Sequence, residues 1–336
     1  MSSAEPAADP DADLGHYANI STGSLPAAAQ VQGLVEEAHR RYAGVTDGAN
    51  STVYPALERA DPQRFGVCVV GAAGNTFEAG DTRVEFTIMS VVKPFVFAAV
   101  CEALGAEEVR RLIGVNATGL PFNSVAAVER GERGRTNPMV NSGAIATTSL
   151  VPGATAGEKW EAILDVLSRF AGRELAVDEE VYASASATNH RNQAIARLLE
   201  SVGGLYFDPQ ETVDLYTRQC SIAVTATDLA VMGATLAAGG VNPVSGRRVI
   251  DAMTCHDVLS VMAIAGLYET SGDWLYQVGL PGKSGIGGGI VTVSPGKGGL
   301  ATYSTPLDAA GNSVRGQLVA RFLSRRLGLD LFVSGA

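Results

Sequence analysis

The chain has 336 residues, 46% of them hydrophobic, enough to bury one large core or two that share an interface. Thirty-five acidic against 25 basic residues give a formal charge of −10. With no Lys/Arg stripe interleaved with aromatics, nucleic acid and anionic membrane are poor partners.

Residues 1–22 open on Met1-Ser-Ser-Ala-Glu-Pro and then Asp9, Asp11 and Asp13. They lack the basic start and apolar stretch of a secretory signal, so they read as a flexible acidic tail. Residues 25–43 carry apolar side chains at helical spacing and predict the first helix. Residues 65–70 and 84–88 have strand composition, and Gly71-Ala-Ala-Gly-Asn75 supplies a turn for antiparallel pairing between them. Ser90 follows the second run directly. The apolar run 94–100 is too short to span a bilayer, as is the alanine-rich stretch 229–238. Helical patterns follow at 94–104, 107–113, 157–170, 192–202 and 208–219. Glycine-rich strand signals return at 279–293 and 299–304, and residues 314–327 close the chain as a helix.

This order predicts an α/β protein. Residues 23–100 and 229–336 form an antiparallel sheet flanked by helices, and residues 101–228 form an inserted all-helical domain. A cleft between the two parts is the expected site. Cys68, Cys101, Cys220 and Cys255 are far apart, lack CxxC spacing and sit among apolar neighbours, as reduced core thiols of a cytoplasmic protein do.

The chemistry centres on Ser90-x-x-Lys93. A serine hydroxyl becomes a strong nucleophile when a neighbouring base takes its proton, and a lysine serves only if burial lowers its pKa. Residues i and i+3 lie on one helical face, so the amine can reach the hydroxyl. The chain has four lysines, and Ser294-Pro-Gly-Lys297 repeats the motif. Context separates the two: Ser90 stands between a strand and an apolar helix, Ser294 in a Pro-Gly turn. Helix capping remains the competing role for Ser90. Lys283-Ser-Gly285, in a glycine-dense segment, joins Ser90 and Lys93 in resembling the S-x-x-K and K-T-G elements of penicillin-binding proteins and class A β-lactamases.

Longer stretches resemble the glutaminase family, from about residue 44 to 320. They include Phe86-Thr-Ile-Met-Ser-Val-Val-Lys93, Asn137-Pro-Met-Val-Asn-Ser-Gly-Ala-Ile145, Arg191-Asn-Gln-Ala-Ile-Ala196, Tyr216-Thr-Arg-Gln-Cys-Ser221 and Gly279-Leu-Pro-Gly-Lys-Ser-Gly285. The resemblance implies a β-lactamase-like fold, a homo-oligomer (dimer or tetramer), and hydrolysis of L-glutamine to L-glutamate and ammonia; nothing in the sequence suggests a metal, nucleotide or other cofactor. By the same carry-over, Ser90 attacks the side-chain amide, Lys93 is the base, and Tyr216 and Tyr268 hydrogen-bond or relay protons. The backbone N–H groups of Ser90 and Ile286 form the oxyanion hole, and Asn141 and Asn192 hold the amino-acid end. His190 is left out as structural.

Two positions depart from the family pattern. Where the family has a glutamate on the substrate's α-amino group, seven residues before Asn192, this chain has Ala185. Losing such a pairing costs roughly 1.5–3 kcal/mol, or about ten- to hundredfold in affinity. Val53-Tyr54-Pro55 stands where the family has Tyr-Ile-Pro, so either Tyr54 substitutes with a one-residue offset or the contact is gone. Two other functions stay open: a catalytically idle amino-acid-binding homologue, and another serine acyl-transfer enzyme such as a β-lactamase or esterase.

Overall fold

The computed structural model describes residues 23–333; the segment read as an acidic tail, 1–22, lies outside them. Eight strands form two sheets: β1 (Gly66–Gly71), β2 (Thr76–Gly80), β3 (Phe86–Thr87), β4 (Ala176–Val177), β5 (Ile222–Val224), β6 (Gly282–Ser284), β7 (Gly289–Ser294) and β8 (Gly298–Tyr303). The larger sheet runs β2-β1-β8-β7-β6 and is antiparallel throughout. The smaller runs β3-β5-β4.

The alternation of side chains along the larger sheet builds two cores. Val67 and Val69 of β1 point into one cluster with the helices Ala28–Tyr42 and Val314–Leu327. Cys68 and Val70 point into the other, which continues under the helix Ala226–Ala237 into the helical part. Burying each valine contributes roughly 1.5–3 kcal/mol. The helix Ala226–Ala237 sits unusually close to β8 because glycines meet there. A Cβ on Gly299 would lie 2.4 Å from the Ala230 carbonyl oxygen and from the Ala234 nitrogen.

One expected pairing is corrected. The partner of β1 across the Gly71–Asn75 turn is β2 (Val67↔Ala79), not the run at 84–88. Gly80, at φ 74°, ends β2, and the Asp81 carboxylate accepts the Phe65 N–H at 3.0 Å. These contacts turn the chain out of the sheet, and β3 pairs with β5 instead (Phe86↔Val224). Phe86 still touches the larger sheet, stacking on Tyr303 with ring centroids 4.1 Å apart.

The five helices expected between 94 and 219 are present to within two residues. Asn141–Ser149 is a further one, and it has no polar face. Every residue in it is buried, and the hydroxyls of Thr147, Thr148 and Ser149 donate back to carbonyls three or four residues earlier. A periodicity search has nothing to detect in such a segment. Among the described residues no single helix is long and apolar enough to cross a membrane.

All four lysines are buried. Lys159 Nζ donates to the carbonyls of Ser149 and Val151. The rival motif is likewise structural: Ser294 Oγ donates to Leu329 O, and Lys297 Nζ to Gly328 O, so both tie down the end of the last helix. The other two lysines meet at one place.

Candidate active site

Ser90 sits where β3 ends and a helix begins. Ile88 N–H makes a last bond to Ile222 O at 2.9 Å, the turn Met89–Val92 follows, and Lys93–Leu104 continues as a helix with Pro94 in its first turn. Met89, directly before Ser90, is held at φ 46°. A non-glycine residue there costs on the order of 1 kcal/mol, and its burial against Leu57 and Val181 sustains the conformation. Ser90 is 8% exposed and Lys93 1%.

Burial pulls the Lys93 amine from its ordinary value down to about 7. Its Nζ donates to Asn141 Oδ1 at 2.8 Å and to Met139 O at 3.2 Å. That lysine contact fixes the Asn141 amide orientation, so its nitrogen faces the next residue. A relay of buried side chains follows. Asn141 Nδ2 donates to Asn192 Oδ1 at 3.0 Å, Asn192 Nδ2 to Asn189 Oδ1 at 2.6 Å, and Asn189 Nδ2 to Thr217 Oγ1 at 2.5 Å. Tyr216 joins by donating to Asn141 Oδ1 at 3.2 Å.

The opposite side of the serine carries Tyr268, itself at φ 54°. The Ser90 hydroxyl hydrogen-bonds the Tyr268 phenol, whose own O–H donates to Ser284 O at 3.2 Å. Desolvation pushes both Tyr216 and Tyr268 above the usual tyrosine value, so both are neutral hydroxyls able to donate. Lys283, fully buried, places its Nζ 4.5 Å from the Tyr268 ring centroid and donates to Ser284 O at 2.6 Å. Burial, and then the charge of Lys93, hold its pKa well below the lysine value.

The close approach of the segment after β6 to Ser90 depends on Gly285. A Cβ there would meet Ile88 O at 2.9 Å, Val91 Cγ2 at 3.1 Å and Ser90 N at 3.3 Å. Gly285→Ala is expected to cost about 1–3 kcal/mol of stability through overpacking. It should also lower kcat at least tenfold by moving the Ser90 and Ile286 amides apart; a variant with unchanged kcat would contradict this.

A pocket of about 120 Å³ opens onto Ser90 between the sheet side and the helical part. Tyr54, Ser90, Asn141, Asn192, Tyr216 and Ile286 line it, while Lys93 and Tyr268 lie behind its wall, joined to it by the bonds just described. All eight residues singled out in the sequence therefore converge. Larger hollows of about 350 and 400 Å³ lie around Arg110–Thr136 and Leu236–Leu331, and Ser90 lines neither. Asn189, Cys220 and Phe122 are also on the wall. Sequence reasoning passed over Asn189 because an asparagine before a helix reads as a cap, and it gave Lys283 no role of its own. His190 is exposed and does not line the pocket.

The glutaminase family model matches residues 48–332. Glutaminase 2 of Yersinia pestis is 63% identical over 324 residues, covering 96% of this chain and 95% of that protein. The glutaminase of Brucella canis is 48% identical over 304 residues, covering 90% and 96% respectively. Among solved structures, "Probable glutaminase ybaS" superposes with a TM-score of 0.91 at 43% identity, covering 92% of this chain and all of that one. A probable glutaminase from Bacillus subtilis, complexed with 6-diazo-5-oxo-L-norleucine, gives 0.80 at 30% identity, covering 91% and 97%. By sequence and by fold, this chain belongs to the glutaminase family.

Proposed function

We propose that the chain hydrolyses the side-chain amide of L-glutamine to L-glutamate and ammonia through an acyl-enzyme on Ser90. The observation that carries the mechanism is a buried lysine, poised near neutrality, three residues from a serine that opens onto an amide-walled pocket.

The Ser90 hydroxyl, which rests on Tyr268, turns to the neutral Lys93 amine and gives up its proton. Its oxygen attacks the carboxamide carbon, and the backbone N–H groups of Ser90 and Ile286 receive the developing oxyanion. The intermediate collapses as the amide nitrogen takes the proton held by Lys93, relayed by the Tyr216 hydroxyl, and leaves as ammonia. Water then attacks the Ser90 ester and gives a proton to Lys93, which returns it to Ser90 as glutamate is released. Asn141 and Asn192 hold the amino-acid end, and Tyr54 closes the pocket over it. Lys283 keeps Tyr268 oriented through its contacts with that ring and with Ser284 O.

Incubation with millimolar 6-diazo-5-oxo-L-norleucine, followed by peptide mass spectrometry, tests the acyl-enzyme. A stoichiometric adduct on the Ser90 peptide is expected; an adduct elsewhere, with Ser90 unmodified, rules it out.

The reaction takes place in the cytoplasm, a reading supported by four cysteines that are all free thiols. The active form is a homo-oligomer, dimer or tetramer. Support comes from exposed apolar side chains close together in sequence, Met253 (69% exposed), Ile264 and Tyr276 (91%). Light scattering that returns the mass of one chain would rule this out.

A further inference from the structure

The charge inventory of the pocket is one-sided. No aspartate or glutamate lines it, and the one formally charged side chain on its wall is Arg191. Behind the wall, Lys93 and Lys283 are amines held below the ordinary lysine value by burial, and neither can offset a ligand ammonium. Glu269, next to Tyr268 in the chain, is exposed, and Oε1 of its carboxylate already accepts the Phe122 N–H at 3.2 Å. A ligand carboxylate has Arg191 at the wall, whereas a ligand ammonium has no counter-charge among the lining side chains.

The buried amides do not make up the difference. An ammonium needs acceptors, and in this relay the oxygens are turned inward. Asn141 Oδ1 is filled by Lys93 and Tyr216, while Asn192 Oδ1 and Asn189 Oδ1 each take one amide N–H and keep at most one lone pair, a neutral acceptor and no counter-charge. What Asn141 and Asn192 keep available is an N–H on each amide nitrogen, suited to a carbonyl or carboxylate oxygen. The helix Glu179–Thr188 shows where an acid is missing. Val181, Ala185 and Thr188 share one face by helical spacing; Val181 packs with Met89, and Thr188 lines the pocket. Ala185, 1% exposed, stands between them with a methyl group.

We infer that the pocket selects primary amides that carry a carboxylate but no free ammonium, such as N-acylated glutamine or a glutaramate-type half-amide, over free L-glutamine. The inference rests on amide hydrolysis at Ser90 and names its substrate class. The reaction is unchanged: the amide and one water give a carboxylate and ammonia.

The test compares kcat/KM for ammonia release from L-glutamine, N-acetyl-L-glutamine and glutaramate by the full chain. At least one ammonium-free amide is expected to exceed L-glutamine tenfold or more. L-glutamine equal to or better than both overturns the inference while leaving amide hydrolysis intact; no ammonia from any of the three overturns both. Two variants then locate the cause. Ala185→Glu restores a carboxylate in the buried position, and Thr188→Glu, at an exposed position on the same face, carries no burial cost if the first fails to fold. At least one should shift the ratio toward L-glutamine by tenfold or more. A ratio unmoved in both folded variants removes the missing carboxylate as the determinant.

Discussion

Ser90→Ala is expected to lower kcat for ammonia release by about 10⁴-fold or more while leaving the fold intact. The oxygen that would bond to the substrate carbonyl is gone, and no other hydroxyl replaces it: Tyr268 and Tyr216 are neutral phenols with their protons engaged. Residual rate would come from the oxyanion-hole amides and from binding alone. The structural cost is one hydrogen bond, the one to Tyr268, worth about 1 kcal/mol. For a chain of 336 residues that moves Tm by only about 1–2 °C. Ammonia assay and thermal melt on the same preparation separate the two effects. Residual kcat above a few per cent with an unchanged melt would show that Ser90 is not the nucleophile.

The legible parts of this site were the local ones. Ser90 and Lys93 are three residues apart, so the helix itself delivers their geometry and the sequence displays it. Asn141, Asn192 and Tyr216 come from three different helices. Their meeting is a tertiary event that no spacing announces, and only resemblance to a family pointed to them. Asn189 shows the limit more sharply. It is the third amide of the relay and lines the pocket, yet an asparagine between two helices has the sequence signature of a cap.

The sheet follows the same division. Strand composition at 65–70 and turn chemistry at 71–75 were readable, but the true partner of β1 was not. Four of the five residues of β2 are partly or fully exposed at the sheet edge, and the segment looks polar beside the more hydrophobic run at 84–88. Hydrophobicity therefore pointed to the wrong partner, and the backbone at Gly80 and Asp81 decided the matter. The helix Asn141–Ser149 was hidden for the opposite reason, since burial on every side removes the polar face that periodicity depends on. Fold class survived these errors because it rests on element order, which neither error changes.

Lys93→Arg is expected to reduce kcat/KM by at least about 10³-fold, although charge and approximate length are kept. The step assigned to Lys93 requires the deprotonated amine, and a guanidinium does not deprotonate in a protein. The sign of the pH dependence follows. Burial brings Lys93 down to about 7, so below that value the amine is an ammonium and cannot accept the Ser90 proton. In the parent chain kcat/KM should then rise about tenfold per pH unit below 7 and level off above it. An exposed lysine, near 10.4, would give a profile still climbing at pH 9. Lys93→Arg should retain no rising limb at any pH, because arginine has no accessible neutral form. Lys283 sets a useful control. It too is buried and depressed, but its amine is bonded to Ser284 O and lies over the Tyr268 ring, contacts that position that phenol. Lys283→Arg should therefore lower the rate yet keep the rising limb near pH 7. If instead that limb disappears in Lys283→Arg and persists in Lys93→Arg, the base is Lys283, and the assignment made from the Ser-x-x-Lys spacing falls.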